Sequence, residues 1–237
     1  MAGPVAAHAS STLTVAPKGG IGDLESITTS FDGTGGGPQK VLAGTLTESV
    51  NGGPSFDGYC VDLYHVVQLG SNGTSSYVVT PLPIASLSGG NGAGVGYLYH
   101  EFASTIANES SGAARNIDGA ALQVALWKVE YDNGGALGSG HFAMADSGNT
   151  NSVQHLVFAR ATQYLSTYDG SQSADATWYQ AVSHPSSNGF SMNQNMIGPP
   201  PSGPPVPTPE PGTIVMAALG AAGLLIHARR RGRPSPA

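Results

Sequence analysis

One thiol, Cys60, stands in a chain of 237 residues, in the run Tyr59-Cys60-Val61-Asp62-Leu63-Tyr64. A lone cysteine builds neither a disulfide framework nor a Cys-rich zinc site. Its blandest role is a buried structural thiol, since free Cys is among the most buried residue types. A second role is a nucleophile with His65, His100 or His141 as base. No local hydrolase signature accompanies these residues, and no His pair has ligand spacing around Cys60, so neither a Cys/His hydrolase nor a metal centre is expected. Which role Cys60 takes depends on what the surrounding elements bring to it.

Those elements are legible as two kinds. Val41 to Val50 alternates with Thr and Val content and reads as a strand, closed by the turn signal Asn51-Gly52-Gly53. Tyr59 to Val67 is β-branched and aromatic, a second strand or a strand-to-helix entry, and Ser76 to Leu82 is a third. The period then changes. Tyr97, Leu98, Phe102, Ile106 and Ala107 predict a helix over about 94–108. A second helix, about 118–131, carries Leu122, Ala125, Leu126 and Val129 on one face, with Asn116 or Asp118 as cap and Asn133-Gly134-Gly135 as stop. A third runs over about 151–167. Residues 10–38, rich in Ser, Thr and Gly, read as no defined element, and no internal repeat is visible. Strands followed by clustered helices point to an α+β fold.

Composition narrows the function classes. The net charge is −6 and only 10% of residues are charged, against roughly 25% in an average domain. Acidity with only Lys18, Lys40 and Lys128 as lysines excludes nucleic acid as a partner, because phosphate neutralisation needs many cationic side chains. The 34 Gly follow no three-residue period, so collagen is excluded.

Tyr59-Cys60-Val61-Asp62, taken with Gln123, Ala125, Leu126 and Trp127, resembles the two halves of a bacterial thioester domain. The first motif is aromatic or Leu, Cys, apolar, then Asp or Glu. The second is commonly Thr-Gln-x-Ala-apolar-Trp, from which Leu122 departs where Thr is usual. The resemblance extends less strictly through Gly96 to His100, over about residues 40–195. It implies an antiparallel β-barrel or sandwich with a helical subdomain. It also implies that Cys60 and Gln123 condense with loss of ammonia into an internal thioester, and that an amine-bearing target, a protein lysine or a matrix component, then attacks the acyl carbon. Tyr59, Asp62, Tyr64, Ala125 and Trp127 are the supporting residues expected around that bond. The reading needs no cofactor and no metal, and describes an adhesin-like binding protein, not a turnover enzyme. Its alternative is a non-covalent structural or matrix-binding extracellular protein with a buried, unmodified Cys60.

Physical chemistry sets conditions on such a bond. Amides are inert, so Cys60 and Gln123 must be held in contact where water is excluded. A helix mounts Gln123 well, because positions i and i+4 share a face and place Trp127 beside it. The indole would cover the bond and anchor the helix. If residues 59–64 are extended, Cys60, Asp62 and Tyr64 share one face, and Asp62 or Tyr64 would organise proton transfer. Lys128, five positions after Gln123, lies roughly 140° around the helix and points away from it.

The ends of the chain carry a different signal. Pro199 to Pro211 is Pro-rich and should form an extended spacer. Thr213 to Ala228 is apolar, roughly 24 Å long as a helix at about 1.5 Å per residue, and Arg229, Arg230, Arg231 and Arg233 follow it. Snorkelling arginines would make up the difference to the hydrocarbon thickness, with the C-terminus cytoplasmic. Pro209-Glu210-Pro211, the apolar segment and the Arg cluster together resemble a PEP-CTERM sorting signal over about 206–233. The resemblance implies export from a Gram-negative bacterium, recognition by a membrane-embedded exosortase, initial anchoring in the inner membrane, and final residence at the cell surface or in the matrix. Ala7-His8-Ala9 fits a signal peptidase site, so the translation start is expected upstream. The expected segments are 1–38, an export remnant and Gly/Ser/Thr-rich stretch; 39–197, the thioester domain; 198–211, the Pro-rich linker; 212–228, a single transmembrane helix; and 229–237, an Arg-rich cytoplasmic tail.

Overall fold

Alternating burial starts the fold earlier than composition suggests. The computed structural model describes residues 10–32, 37–67, 69–87, 89–182, 184–185 and 191–200. Strand β1 (Ser11–Pro17) buries Leu13 and Val15, and β2 (Glu25–Phe31) buries Ile27, Thr29 and Phe31. Both precede residue 39, in the stretch expected to lie outside the folded body. Their β-branched Thr, Val and Ile supply a strand preference that the Ser, Thr and Gly content masks.

The strand expected over 41–50 is two strands, β3 (Pro38–Ala43) and β4 (Leu46–Val50). They part at Gly44, whose φ is +153° and where a Cβ would stand 2.8 Å from the Leu24 side chain. The run expected over 59–67 also divides. Strand β5 (Phe56–Cys60) stops at the cysteine, and β6 (His65–Val66) belongs to another sheet. The third expected strand is β7 (Ser75–Pro83).

Three helices follow the change of period: α1 (Gly92–Ala107), α2 (Ala113–Asp132) and, after β8 (Phe142–Met144), α3 (Val153–Leu165). Helix α2 begins five residues before Asp118, so neither expected cap serves. Gly112, with φ +141°, precedes the first turn, and Asp118 lies inside the helix, its carboxylate 2.7 Å from Arg160 Nε on α3. Its end is where the sequence put it, at Asn133 in the left-handed conformation with φ 55°. On α3, the Ser152 side chain caps the first turn by accepting from the His155 N–H. The chain closes with β9 (Thr177–Ala181), β10 (His184–Pro185), β11 (Ser191–Met192) and β12 (Met196–Gly198).

Six strands form a closed barrel in the order β1-β4-β5-β12-β9-β7, every pair antiparallel. A second sheet runs β3-β2-β8, and a small third, β10-β11-β6, contains a parallel pair. Helix α2 packs between α1 and α3 and against the second sheet, and Asp118 through Glu130 are all buried along it. A helix buried on every side has no solvent face to set a polar stripe against an apolar one, and Asp118, Gln123, Lys128 and Glu130 are buried among its apolar residues, so its periodicity is shallow. The barrel interior gathers Leu13, Val15, Leu46, Tyr77, Val79, Tyr179 and Met196, while the larger core lies around α2. Cys60 packs against both.

The chain divides into two units, Met1–Pro200 and Pro201–Ala237. Residues 1–9 of the expected N-terminal segment 1–38, the Pro-Glu-Pro motif, the apolar segment 212–228 and the Arg tail lie outside the described residues. Among the described residues no helix is long and apolar enough to cross a membrane.

Candidate functional site

Cys60 is the last residue of β5, and the end of the strand is what makes its backbone available. Val61 turns its N–H to the Asn195 carbonyl on the β12 side, at 3.0 Å. Backbone groups alternate along a strand, so the Cys60 N–H and C=O face the other edge. There the pairing of β4 with β5 has ended at Leu46 and Gly58. Gln123 fills that edge from α2. Its Oε1 accepts the Cys60 N–H at 2.9 Å, and its Nε2 donates to the Cys60 carbonyl oxygen. The side-chain amide thus replaces the missing peptide of a neighbouring strand, and Gln123 is only 1% exposed. The structure brings the two sequence-predicted partners, 63 positions apart, into direct contact.

The approach of α2 depends on Gly119, one turn before Gln123. A Cβ at Gly119 would stand 2.6 Å from Thr45 Oγ1. Thr45 in turn hydrogen-bonds the Tyr59 hydroxyl at 3.0 Å, and Tyr59 is fully buried edge-on to Tyr99. Tyr59 therefore supports the site through packing behind the strand. Burial lifts its phenol well above the ordinary range, so it stays neutral.

The thiol itself points to a residue that the sequence reading missed. Cys60 Sγ donates to Gln194 Oε1 at 2.9 Å. Gln194 Nε2 donates to the Asp62 carbonyl at 2.6 Å, and its own carbonyl accepts from the Tyr77 hydroxyl at 2.9 Å. The signal available in sequence was the polar triplet Asn193-Gln194-Asn195 placed directly before the apolar Met196-Ile197. Burial pushes the Cys60 thiol well up, and the negative charge of Asp62 pushes it further, so the resting sulfur is protonated.

Asp62 is buried and holds the loop after Cys60. Its Oδ1 accepts from the backbone N–H of Tyr64 at 3.1 Å and of His65 at 2.8 Å and meets His65 Nδ1 at 2.8 Å, while Oδ2 accepts from Asn195 N–H at 2.9 Å. The hydrogen bond to Asp62 raises the His65 pKa against the opposing effect of burial. With its oxygens occupied, Asp62 serves as an anchor, and no contact ties it to Sγ. Tyr64 does not share a face with Cys60, because β5 ends before the alternation reaches it. It is 50% exposed and lies edge-on to Phe31, with ring centroids 5.0 Å apart. Ala125 is fully buried in the core around α2. Trp127 is buried, 5.9 Å from the Phe142 ring, and its Nε1 has no hydrogen-bond partner among the described residues.

Cys60, Gln123, Trp127, Gln194, His65 and Lys40 are among the side chains that line one cleft of about 360 Å³. The cleft borders both Cys60 and the Gln123 side chain. Lys18 is paired with Asp57, and Lys128 is buried against Asp132 Oδ2 at 2.7 Å and the Phe142 carbonyl at 3.1 Å. Lys40 is thus the lysine of the described residues that lines the cleft. Of the three His considered as bases, His65 lines it with Nδ1 turned to Asp62. His100 lines another cavity and His141 sits 3.0 Å from Asp32 on the surface. Among the described residues no three His, Cys, Asp or Glu side chains gather as a metal site.

Comparison with known proteins speaks to the other end of the chain. Residues 207–231 match the PEP-CTERM protein-sorting motif. That motif marks an exported chain handled by exosortase, with membrane-anchored sorting in Gram-negative bacteria. No curated protein and no solved structure matches the chain.

Proposed function

We propose that Cys60 and Gln123 form an internal thioester, and that this exported protein uses it to bond covalently to amines of a target in adhesion or matrix attachment. The observation that carries the reading is the clasp of the Gln123 amide on the Cys60 backbone. It holds the amide carbon beside the cysteine, in a cleft bordered by Trp127. The Cys60 N–H already donates to Gln123 Oε1, where negative charge develops as sulfur adds to the amide carbon. A fixed donor at that oxygen is the usual means of stabilising a tetrahedral intermediate.

The sulfur leaves Gln194 and bonds to Gln123 Cδ, the Cδ–Nε2 bond breaks, and the thiol proton departs with the nitrogen as ammonia. An incoming amine later bonds to Cδ, the Cδ–S bond breaks, and Cys60 regains a proton. The target is then held by an isopeptide bond. No further group is consumed, and the protein acts once.

Intact mass of freshly purified protein tests this. The expected mass is lighter than the sequence mass by one ammonia, and Cys60→Ala or Gln123→Ala restores it. Because the resting thiol touches Gln194, Gln194→Ala belongs in the same series, and it should keep the ammonia loss. Full mass in the wild type, with one titratable thiol, favours instead the non-covalent structural protein with a buried Cys60.

A further inference from the structure

Forming the thioester requires that the proton on Cys60 be moved, and the polar groups nearest Cys60 do this poorly. Gln194 Oε1 is an amide oxygen of negligible basicity, and the Asp62 carboxylate already accepts three N–H groups of the backbone and meets the His65 ring. The barrel interior holds one carboxyl that neither the fold nor the clasp accounts for.

Glu48 on β4 is 0% exposed, and neither carboxyl oxygen has a hydrogen-bond partner among the described residues. A buried polar group left unpaired is destabilising, so its presence in a barrel of Leu, Val, Tyr and Met calls for a reason. Position explains it. Glu48 pairs across the sheet with Phe56, and Leu46 with Gly58, so Glu48 shares the barrel-facing side of β5 with Phe56, Gly58 and Cys60. The side chain lies over Gly58, two residues before Cys60 on the same face. A Cβ on Gly58 would lie 2.0 Å from Glu48 Oε1 and 2.7 Å from Oε2. The carboxyl therefore occupies the space of the missing side chain two residues before the cysteine, and the glycine exists to admit it.

We infer that Glu48 is the proton carrier for closing the Cys60–Gln123 bond, an inference that rests on the thioester reading above. For this the Glu48 carboxylic acid, unpartnered at rest, swings from Gly58 to the thiol as the thiol leaves Gln194: its carbonyl oxygen takes the Sγ proton as sulfur bonds to Cδ, and its hydroxyl proton is released to the departing nitrogen. Ammonia leaves and Glu48 ends as it began. Desolvation holds the carboxyl well above the ordinary carboxylate range, with the Asp57 charge adding to it, so the acid form that this exchange needs is the resting one.

The test compares wild type, Glu48→Gln and Glu48→Met in the full chain, following ammonia loss by intact mass during refolding from denaturant, with Tm as a fold control. General acid–base catalysis contributes about 10²- to 10⁴-fold. Glu48→Met should fold with equal or higher Tm, since an unpaired buried polar group is removed, Glu48→Gln, which keeps one, with a Tm near that of the wild type, and both should lose ammonia at least about 100-fold more slowly. Either folded variant losing ammonia at the wild-type rate overturns the assignment while leaving the thioester intact. A wild-type chain at full mass overturns the thioester reading, and the role of Glu48 with it. If Glu48→Gln does not fold, Glu48→Met, which replaces the acid by an apolar side chain of similar length, decides alone.

Discussion

Gln123 does two jobs at one place. As a structural group it satisfies the N–H and C=O that β5 leaves open when its neighbour ends. As a chemical group it presents an amide carbon to the cysteine whose backbone it holds. The first job is measurable apart from the second. In a Cys60→Ala background, where no thioester can form, Gln123→Ala should still cost about 1–3 kcal/mol, because two buried backbone groups lose their partners. Urea unfolding would show it, and a change below about 0.5 kcal/mol would mean that the clasp is not a feature of the folded protein in solution. Asp62 works differently: it fixes the turn after Cys60 by accepting backbone N–H groups, the behaviour that makes Asp common in turns.

At the scale of elements, the site is a meeting of a strand end and a helix, and the spacing between them is set by Gly119. Alanine is the better helix former by about 1 kcal/mol, so in an unconstrained helix Gly119→Ala would stabilise. Here the added methyl meets Thr45 Oγ1 at 2.6 Å, and overpacking a tight contact costs about 1–3 kcal/mol. Gly119→Ala should therefore lower stability and reduce the fraction of chains that lose ammonia, because α2 carries Gln123 away from Cys60. Adding Thr45→Ala should restore part of both, read by thermal unfolding and intact mass on the same samples. Unchanged ammonia loss in the single variant would show that the helix position is not limiting.

For the whole molecule the consequence is a dependence of stability on pH. Glu130, on α2, is pushed up to about 9 by burial, with the Asp62 charge adding to it, and one of its oxygens is unpartnered. Between the ordinary carboxyl value of 4.5 and about 9 the folded chain holds a proton that the unfolded chain has lost. Folded-state stability from this group is complete below the lower value and falls as pH rises through the window. His65, raised by its hydrogen bond to Asp62, acts in the same direction from its ordinary 6.5 upward. Glu130→Gln should flatten the decline and at pH 8 gain about 1–2 kcal/mol, roughly 2–8 °C in Tm for a domain of this size. A variant whose Tm falls between pH 5 and pH 8 as steeply as the wild type would overturn the role given to Glu130.

Local pattern alone determined the three helices, the strand over 75–83, the stop of α2 at Asn133 and the sorting motif at the C-terminus. Each of these follows from residues near one another in the chain: a repeat of apolar positions, a residue tolerant of positive φ, a short motif read by another protein. Sequence also singled out Cys60 and Gln123 as a pair, through motif likeness. What it hid follows from long-range contact. Ser11 to Phe31 reads as a Gly- and Ser-rich run until the barrel and second sheet supply partners for β1 and β2. The split at Gly44 matters because two sheets pull the chain apart there, which no alternation of Thr and Val reveals. Gln194, 134 positions from Cys60, is marked locally only by its polar triplet, and Glu48, lying in the space that Gly58 leaves, has no local signature. Pairing across a barrel is set by register and closure, and only the tertiary structure decides which distant side chains end in the same interior.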